Sequence, residues 1–218
     1  MTLSGTVQQF LAGEVDRWAL VRAIAEAERL ICPATNHCGE ILQASEPVRG
    51  GRWQQLYTRE DRCPDALHIP VEGVSTLRSL HPEAIGLSLD RGSSEEIRFE
   101  AEDIPQLRQW GRAVHVERWL AGAQVWGLAP LMRSFRHWLV LLHPESGDPL
   151  RDDGLLVFTA PDALGAWQRE HPEGVRCELT SRQLAALVRQ EAHVRVNPAG
   201  PRGPLSAPAH FAEALTAD

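Results

Sequence analysis

The same series of short marks occurs twice in this chain of 218 residues, in the same order and 101 to 111 residues apart. Phe10-Leu-Ala-Gly13 returns as Trp119-Leu-Ala-Gly122, and a buried-looking run ending at Pro33 returns as one ending at Pro144. Tyr57-Thr58-Arg-Glu-Asp61 returns as Phe158-Thr159-Ala-Pro-Asp162. Gly86-Leu-Ser-Leu-Asp90-Arg-Gly92 corresponds to Val194-Arg-Val-Asn197-Pro-Ala-Gly200, and Leu107 to Leu215. A nearly constant offset with conserved order is the mark of a unit written twice. Two units of about 105 residues each lie within the usual domain size. The expected boundaries are 1–107 for the first, divergent repeat, 108–116 for a linker, and 117–218 for the second repeat.

Within each copy the hydrophobic period alternates between that of helices and that of strands. Val7, Phe10, Leu11, Trp18, Val21, Ile24 and Ala25 form a helical face, as one helix or as two that meet near Gly13. Leu30-Ile-Cys-Pro33 and Trp138-Leu-Val-Leu-Leu142 read as buried strands, the first ended by its proline. Gly50-Gly51 and Asp152-Asp153-Gly154 are hairpin turn chemistry ahead of short apolar runs. Thr58 and Thr159, each three residues before an aspartate, predict helix caps, as does Thr180 ahead of Gln183. Further strands are expected at 67–71, 84–89, 174–179 and 192–196. Each unit therefore reads α-β-β-α-β-α-β-β-α. The predicted fold class is α/β (mixed α+β): two tandem copies, each built on a mixed sheet.

Composition and charge remove several functions. The net charge is −7 and every basic residue is arginine. Residues 1–112 carry 17 acids and 12 bases, and the remainder 12 and 10, so neither half offers the positive excess that phosphate binding needs. Nucleic acid is not expected as a partner. No apolar run is long enough to span a bilayer, and the first residues do not read as a secretory signal, so a cytoplasmic home without membrane contact is expected. The chain contains no GxGxxG, GxxxxGK[ST], HExxH or GxSxG pattern. No cofactor and no metal are expected.

Several clusters have both a chemical and a plain reading. Cys32, His37, Cys38 and Cys63 match no common zinc spacing and read as reduced cysteines. Asp148, Asp152 and Asp153 could hold a cation, but such aspartates more often bond their own backbone in a turn. Asn197-Pro198-Ala-Gly200 could offer amides to a ligand, or end a strand in a turn. His143 beside Ser146 and Asp148 is close only in sequence, which is not a triad. Neither a nucleophile nor a general base stands out, so a non-enzymatic protein is the expectation.

The residues Phe158-Thr159-Ala-Pro-Asp162, Cys177-Glu-Leu-Thr180, the leucine-rich stretch that follows, and Val196-Asn197-Pro198-Ala-Gly200 resemble the SseB-like domain, the "enhanced serine sensitivity" family of bacteria. The resemblance covers most of 117–216. The first copy departs from it at Tyr57, where the second has Phe, and at Asp90-Arg91, where the second has Asn-Pro. The resemblance implies an α/β unit without an established catalytic mechanism, found singly or in tandem, in some relatives near secretion or toxin systems. It supplies no active-site residues.

Two features are candidates for contact with a partner. Glu95, Glu96, Glu100, Glu102 and Asp103 form an acidic run around Ile97 and Phe99. This is either a solvated edge strand protected by charge or a docking surface for a basic protein. Seven tryptophans form the second set. Trp18 and Trp138 are expected in the core, Trp110 and Trp119 at a seam by the linker, and Trp53 and Trp167 as exposed anchors. The leading expectation is a protein-interaction module, such as a toxin immunity or antagonist protein or a secretion-linked adaptor, whose partner is another protein such as a basic toxin or secreted effector. The alternatives are a small-ligand-binding regulator with a cleft between the repeats, and an enzyme of unrecognised type.

Overall fold

The computed structural model describes residues 2–37, 40–43, 45–48, 51–64, 67–80, 84–122, 131–132, 135, 138–200, 202–208 and 210–216, with backbone alone over 34–52. Trp126 and Cys38 lie outside these residues. The chain divides into two compact units, Met1–Gly111 and Arg112–Asp218. No helix among the described residues is long and apolar enough to cross a membrane.

The first unit begins with two helices, α1 (Leu3–Leu11) and α2 (Arg17–Glu26). The Thr2 hydroxyl accepts from the Gly5 amide, and Asp16 accepts from the Ala19 amide at 2.8 Å, so each helix has a capped start. Gly13, at φ 74°, takes the left-handed turn between them. Strands β1 (Leu30–His37), β2 (Glu40–Gln43), β3 (Ser45–Val48) and β4 (Gly51–Leu56) follow. Then come β5 (His68–Val71), the short helix α3 (Gly73–Arg78), β6 (Ala84–Leu89) and β7 (Ile97–Glu100). Helix α4 (Ile104–Leu120) contains the division between the units. Residues 108–116, expected as the linker, hold this division and lie within the helix, with Trp110, Ala113, Val114 and Val116 buried.

Hydrogen bonding arranges these strands as β2-β1-β5 and β3-β4-β6-β7. Reciprocal 2.8 Å bonds between the backbones of Ile31 and Tyr57 join β1 to the end of β4. The order β5-β1-β4-β6-β7 results, with β4 and β6 parallel and the other pairs antiparallel.

The second unit contains β8 (Trp138–Leu142), β9 (Leu155–Phe158), α5 (Pro161–Glu170), β10 (Val175–Leu179), α6 (Ser181–Val188), β11 (Val194–Val196), β12 (Leu205–Ser206) and α7 (Phe211–Thr216). Its sheet runs β10-β8-β9-β11-β12, with β9 and β11 its parallel pair. Strand for strand this is the order of the first unit, so the fold is a mixed α+β unit built twice. The first unit inserts β2 and β3 where the second has the turn-rich stretch 143–154. The register also corrects one expected correspondence. Ile31 pairs with Tyr57 where Leu139 pairs with Phe158, so Pro33 lies inside a strand while Pro144 lies beyond one. Strand β1 runs through Pro33 to His37.

Two helix expectations also change. After Thr58 there is only a 3-10 turn, Glu60–Arg62, because Arg59-Glu-Asp-Arg62 has no apolar face to bury. Thr159 does not cap α5, whose N-cap is Ala160 without a side-chain bond. Thr180 does cap α6, in a reciprocal box with Gln183. Thr180→Ala is expected to cost about 1 kcal/mol of stability, the usual effect of a lost cap, read as a lower midpoint in urea unfolding.

The threonines instead bind inward. In the first unit Asp90, wholly buried and left-handed at φ 53°, accepts the Thr58 amide and hydroxyl at 2.7 Å each. Arg62 supplies the countercharge at 2.5 Å and also pairs with Glu95 at 2.7 Å. In the second unit Asn197, left-handed at φ 49°, accepts the Thr159 amide at 2.9 Å. The Thr159 hydroxyl donates at 2.6 Å to Glu117, a buried carboxylate on α4. Asn197 also donates its side-chain amide to Glu117, at 2.9 Å. The buried acid thus sits on the strand-end turn in one copy and on the leading helix in the other. Gln8, which matches Glu117 by the Gly13-to-Gly122 offset, bonds Glu95 at 2.5 Å.

Candidate functional site

The outer face of the first unit's sheet is built by small residues facing large ones. Along β6, Leu87 and Leu89 pair with Phe99 and Ile97, and all four are buried in the core. Gly86 and Ser88 alternate with them and so share the opposite face. Trp53 pairs with Gly86, and Arg98 with Ser88. The tryptophan ring lies over Gly86 so closely that a Cβ there would stand 2.6 Å from it. Glycine is thus what allows the ring to lie down on the sheet.

Beside the ring is a notch of about 180 Å³ lined by Trp53, Ser88, Arg91, Glu96 and Arg98. Glu96 has both oxygens engaged: one accepts from Arg98 Nε at 2.6 Å, the other from the Gly92 amide at 3.1 Å. The bond from Arg98 holds the Glu96 carboxyl below the ordinary glutamate range, against the opposing effect of burial. The same pairing raises Arg98. Ser88 is only 2% exposed and its hydroxyl has no hydrogen-bond partner among the described residues. A buried hydroxyl in that state costs about 1–3 kcal/mol.

The structure brings together two of the residues singled out in the sequence, Trp53 and Glu96. The other acids are distributed differently. Glu95 is held by Arg62 and Gln8, and the bond from Arg62 lowers its carboxyl below the usual value. Asp103 is bonded by Arg17 and accepts the Glu100 amide at 2.8 Å. Glu100 and Glu102 are exposed, and β7 is an edge strand with alternating buried and exposed side chains. Trp167 lies in the second unit. It is half-buried, stacks on His171 at 4.1 Å, and packs against the cluster of Leu139, Leu141, Leu156, Phe158, Ala163 and Leu164.

The remaining tryptophans divide between core and surface. Trp138 is fully buried, as expected, and donates to Ser181. Trp18 is 39% exposed, contrary to expectation, and stacks on buried Trp110 at 6.3 Å. Trp119 stacks on Phe211 within the second unit. Ser88 and Gly86 escaped the sequence reading. Their signal was available in Gly86-Leu-Ser-Leu89, where small residues alternate with leucine and leave room for a neighbour's ring.

The turn reading of 197–200 has geometric support, since the Gly200 amide bonds the Asn197 carbonyl at 2.8 Å. Asp152, expected to bond its own backbone, pairs with Arg195 at 2.6 Å. Elsewhere in the second unit a hollow of about 560 Å³ opens between α6, β11 and α7, lined among others by Arg189, Glu191, His193, Arg195 and Glu213. No protein-family model, curated protein or solved structure matches the chain.

Proposed function

We propose that this chain is a non-enzymatic interaction module, a tandem SseB-like protein of the bacterial cytoplasm that binds another protein through the outer face of its first unit. A toxin antagonist or a secretion-linked adaptor is the setting that fits the sequence resemblance. The observation that carries the reading is the notch at Trp53. Its volume of about 180 Å³ lies below the roughly 300–1,000 Å³ of small-molecule sites, and suits one inserted side chain. Tryptophan and arginine, its main walls, are the residues most enriched at binding hot spots.

The acidic run contributes less than its charge suggests. Glu96 and Asp103 are matched by Arg98 and Arg17, and Glu95 shares Arg62 with Asp90, so a general attraction for basic partners rests mainly on Glu100 and Glu102. Affinity capture from the native cytoplasm, with wild-type and Trp53→Ala protein side by side, tests the reading. The variant is expected to bind the captured partner at least ~tenfold more weakly, as for a hot-spot tryptophan. Equal affinity would move the interface away from this face.

A small-ligand reading, with its site inside the second unit and not in the expected cleft between the repeats, is supported by one observation, a hollow whose size falls within the range of ligand sites.

A further inference from the structure

We propose that the Trp53 notch recognises an acidic side chain, a glutamate or aspartate presented by the protein partner. This rests on the interaction reading above and specifies what the notch accepts. Among the described residues, Arg98 and Ser88 bring donors to the notch that no neighbour takes up. Both Glu96 oxygens are occupied, by Arg98 and by the Gly92 amide. Arg98 spends its Nε on that bond, and its side chain is 60% exposed. Its two terminal nitrogens form the fork that grips carboxylates with two parallel bonds. The Ser88 hydroxyl, buried and unpartnered, is a further donor already stripped of water. Arg98 and Arg91 bring two guanidinium groups to the lining, against the one carboxylate of Glu96. The Trp53 ring supplies an apolar wall for the methylenes of the incoming side chain.

Glu100 stands opposite Gly86 on the same face and outside the lining. It repels an incoming carboxylate and would attract a cation, which makes it a discriminating control.

The test is amide and indole NMR on the full chain, titrated with N-acetylglutamate methylamide, N-acetyllysine methylamide and N-acetylnorvaline methylamide. The glutamate probe is expected to shift the Trp53 indole N–H and the Ser88 and Arg98 amides, binding ~tenfold more weakly to Ser88→Ala and to Arg98→Ala. Glu100→Gln is expected to strengthen it. Ser88→Ala should also melt at the same or a higher temperature, since it removes an unpartnered buried hydroxyl. Lost affinity without lost stability is something a purely structural serine would not give. Preference for the lysine probe, equal response to norvaline, or no shift with any probe would overturn the proposal. Glutamate selectivity with unchanged capture by Trp53→Ala would instead move the captured partner's interface away from this face. Reduced capture without glutamate selectivity would sink this inference alone.

Discussion

Asp90→Ala is expected to lower the free energy of unfolding by about 2–4 kcal/mol, from donors left unsatisfied and a strained backbone. Asp90 is fully buried and receives the Thr58 amide, the Thr58 hydroxyl and Arg62. Alanine would leave the Thr58 amide and hydroxyl without their acceptor, while Arg62 would keep Glu95 alone. The alanine would also have to adopt φ 53°, a left-handed conformation costing about 1–2 kcal/mol for a residue with a Cβ and no side-chain bond. Asp90→Asn keeps an oxygen for the Thr58 amide and tolerates the left-handed turn, so its loss should be clearly smaller. Urea unfolding followed by circular dichroism reads both. An alanine variant with an unchanged midpoint would mean that the Asp90 cluster does not hold the first unit together.

Gly73→Ala is expected to be at least as damaging, for a steric reason. Gly73 opens α3 against the end of α2, and its amide donates to the Ala27 carbonyl at 2.9 Å. A Cβ at this position would overlap the carbonyl oxygen of Ile24 and stand 2.9 Å from its carbonyl carbon. These are backbone atoms and cannot swing aside as a side-chain tip would. Relief requires α2 and α3 to separate, uncovering Leu20, Ile24, Val74 and Leu77, all of which are buried. A loss of about 3 kcal/mol or more is expected, beyond the common range for overpacking. A soluble Gly73→Ala protein with the wild-type melting temperature would show that the helices can part without cost. Gly111, where a Cβ would stand 2.6 Å from the Arg78 amide nitrogen, offers an independent check.

What the sequence disclosed was local or periodic. Strand positions followed from apolar runs, and the repeat followed from its offsets. The capping box at Thr180 was legible because all its parts lie within three residues. What stayed hidden depended on partners distant in the chain. The same threonine-acid spacing misled at Thr159, because its hydroxyl is taken by Glu117, 42 residues earlier. The acidic run looked unbalanced because Arg17 and Arg62, which neutralise part of it, come from other elements. Trp18 lay on an apolar face by periodicity, yet that face is closed by stacking on Trp110 and leaves the outer ring in water. The notch needed three strands in register before Trp53, Ser88 and Arg98 became neighbours.

The different placement of the buried acid has a consequence for how such a gene can change. A crossover that carried the first half's aspartate turn into the second half would set a carboxylate where Asn197 now donates to Glu117 at 2.9 Å, placing two buried anions side by side. The reverse exchange would put asparagine at Asp90 and leave Arg62 without the buried charge it pairs with. Either hybrid is expected to be less stable than the present chain, so the two halves are not interchangeable at this turn although they share one strand order.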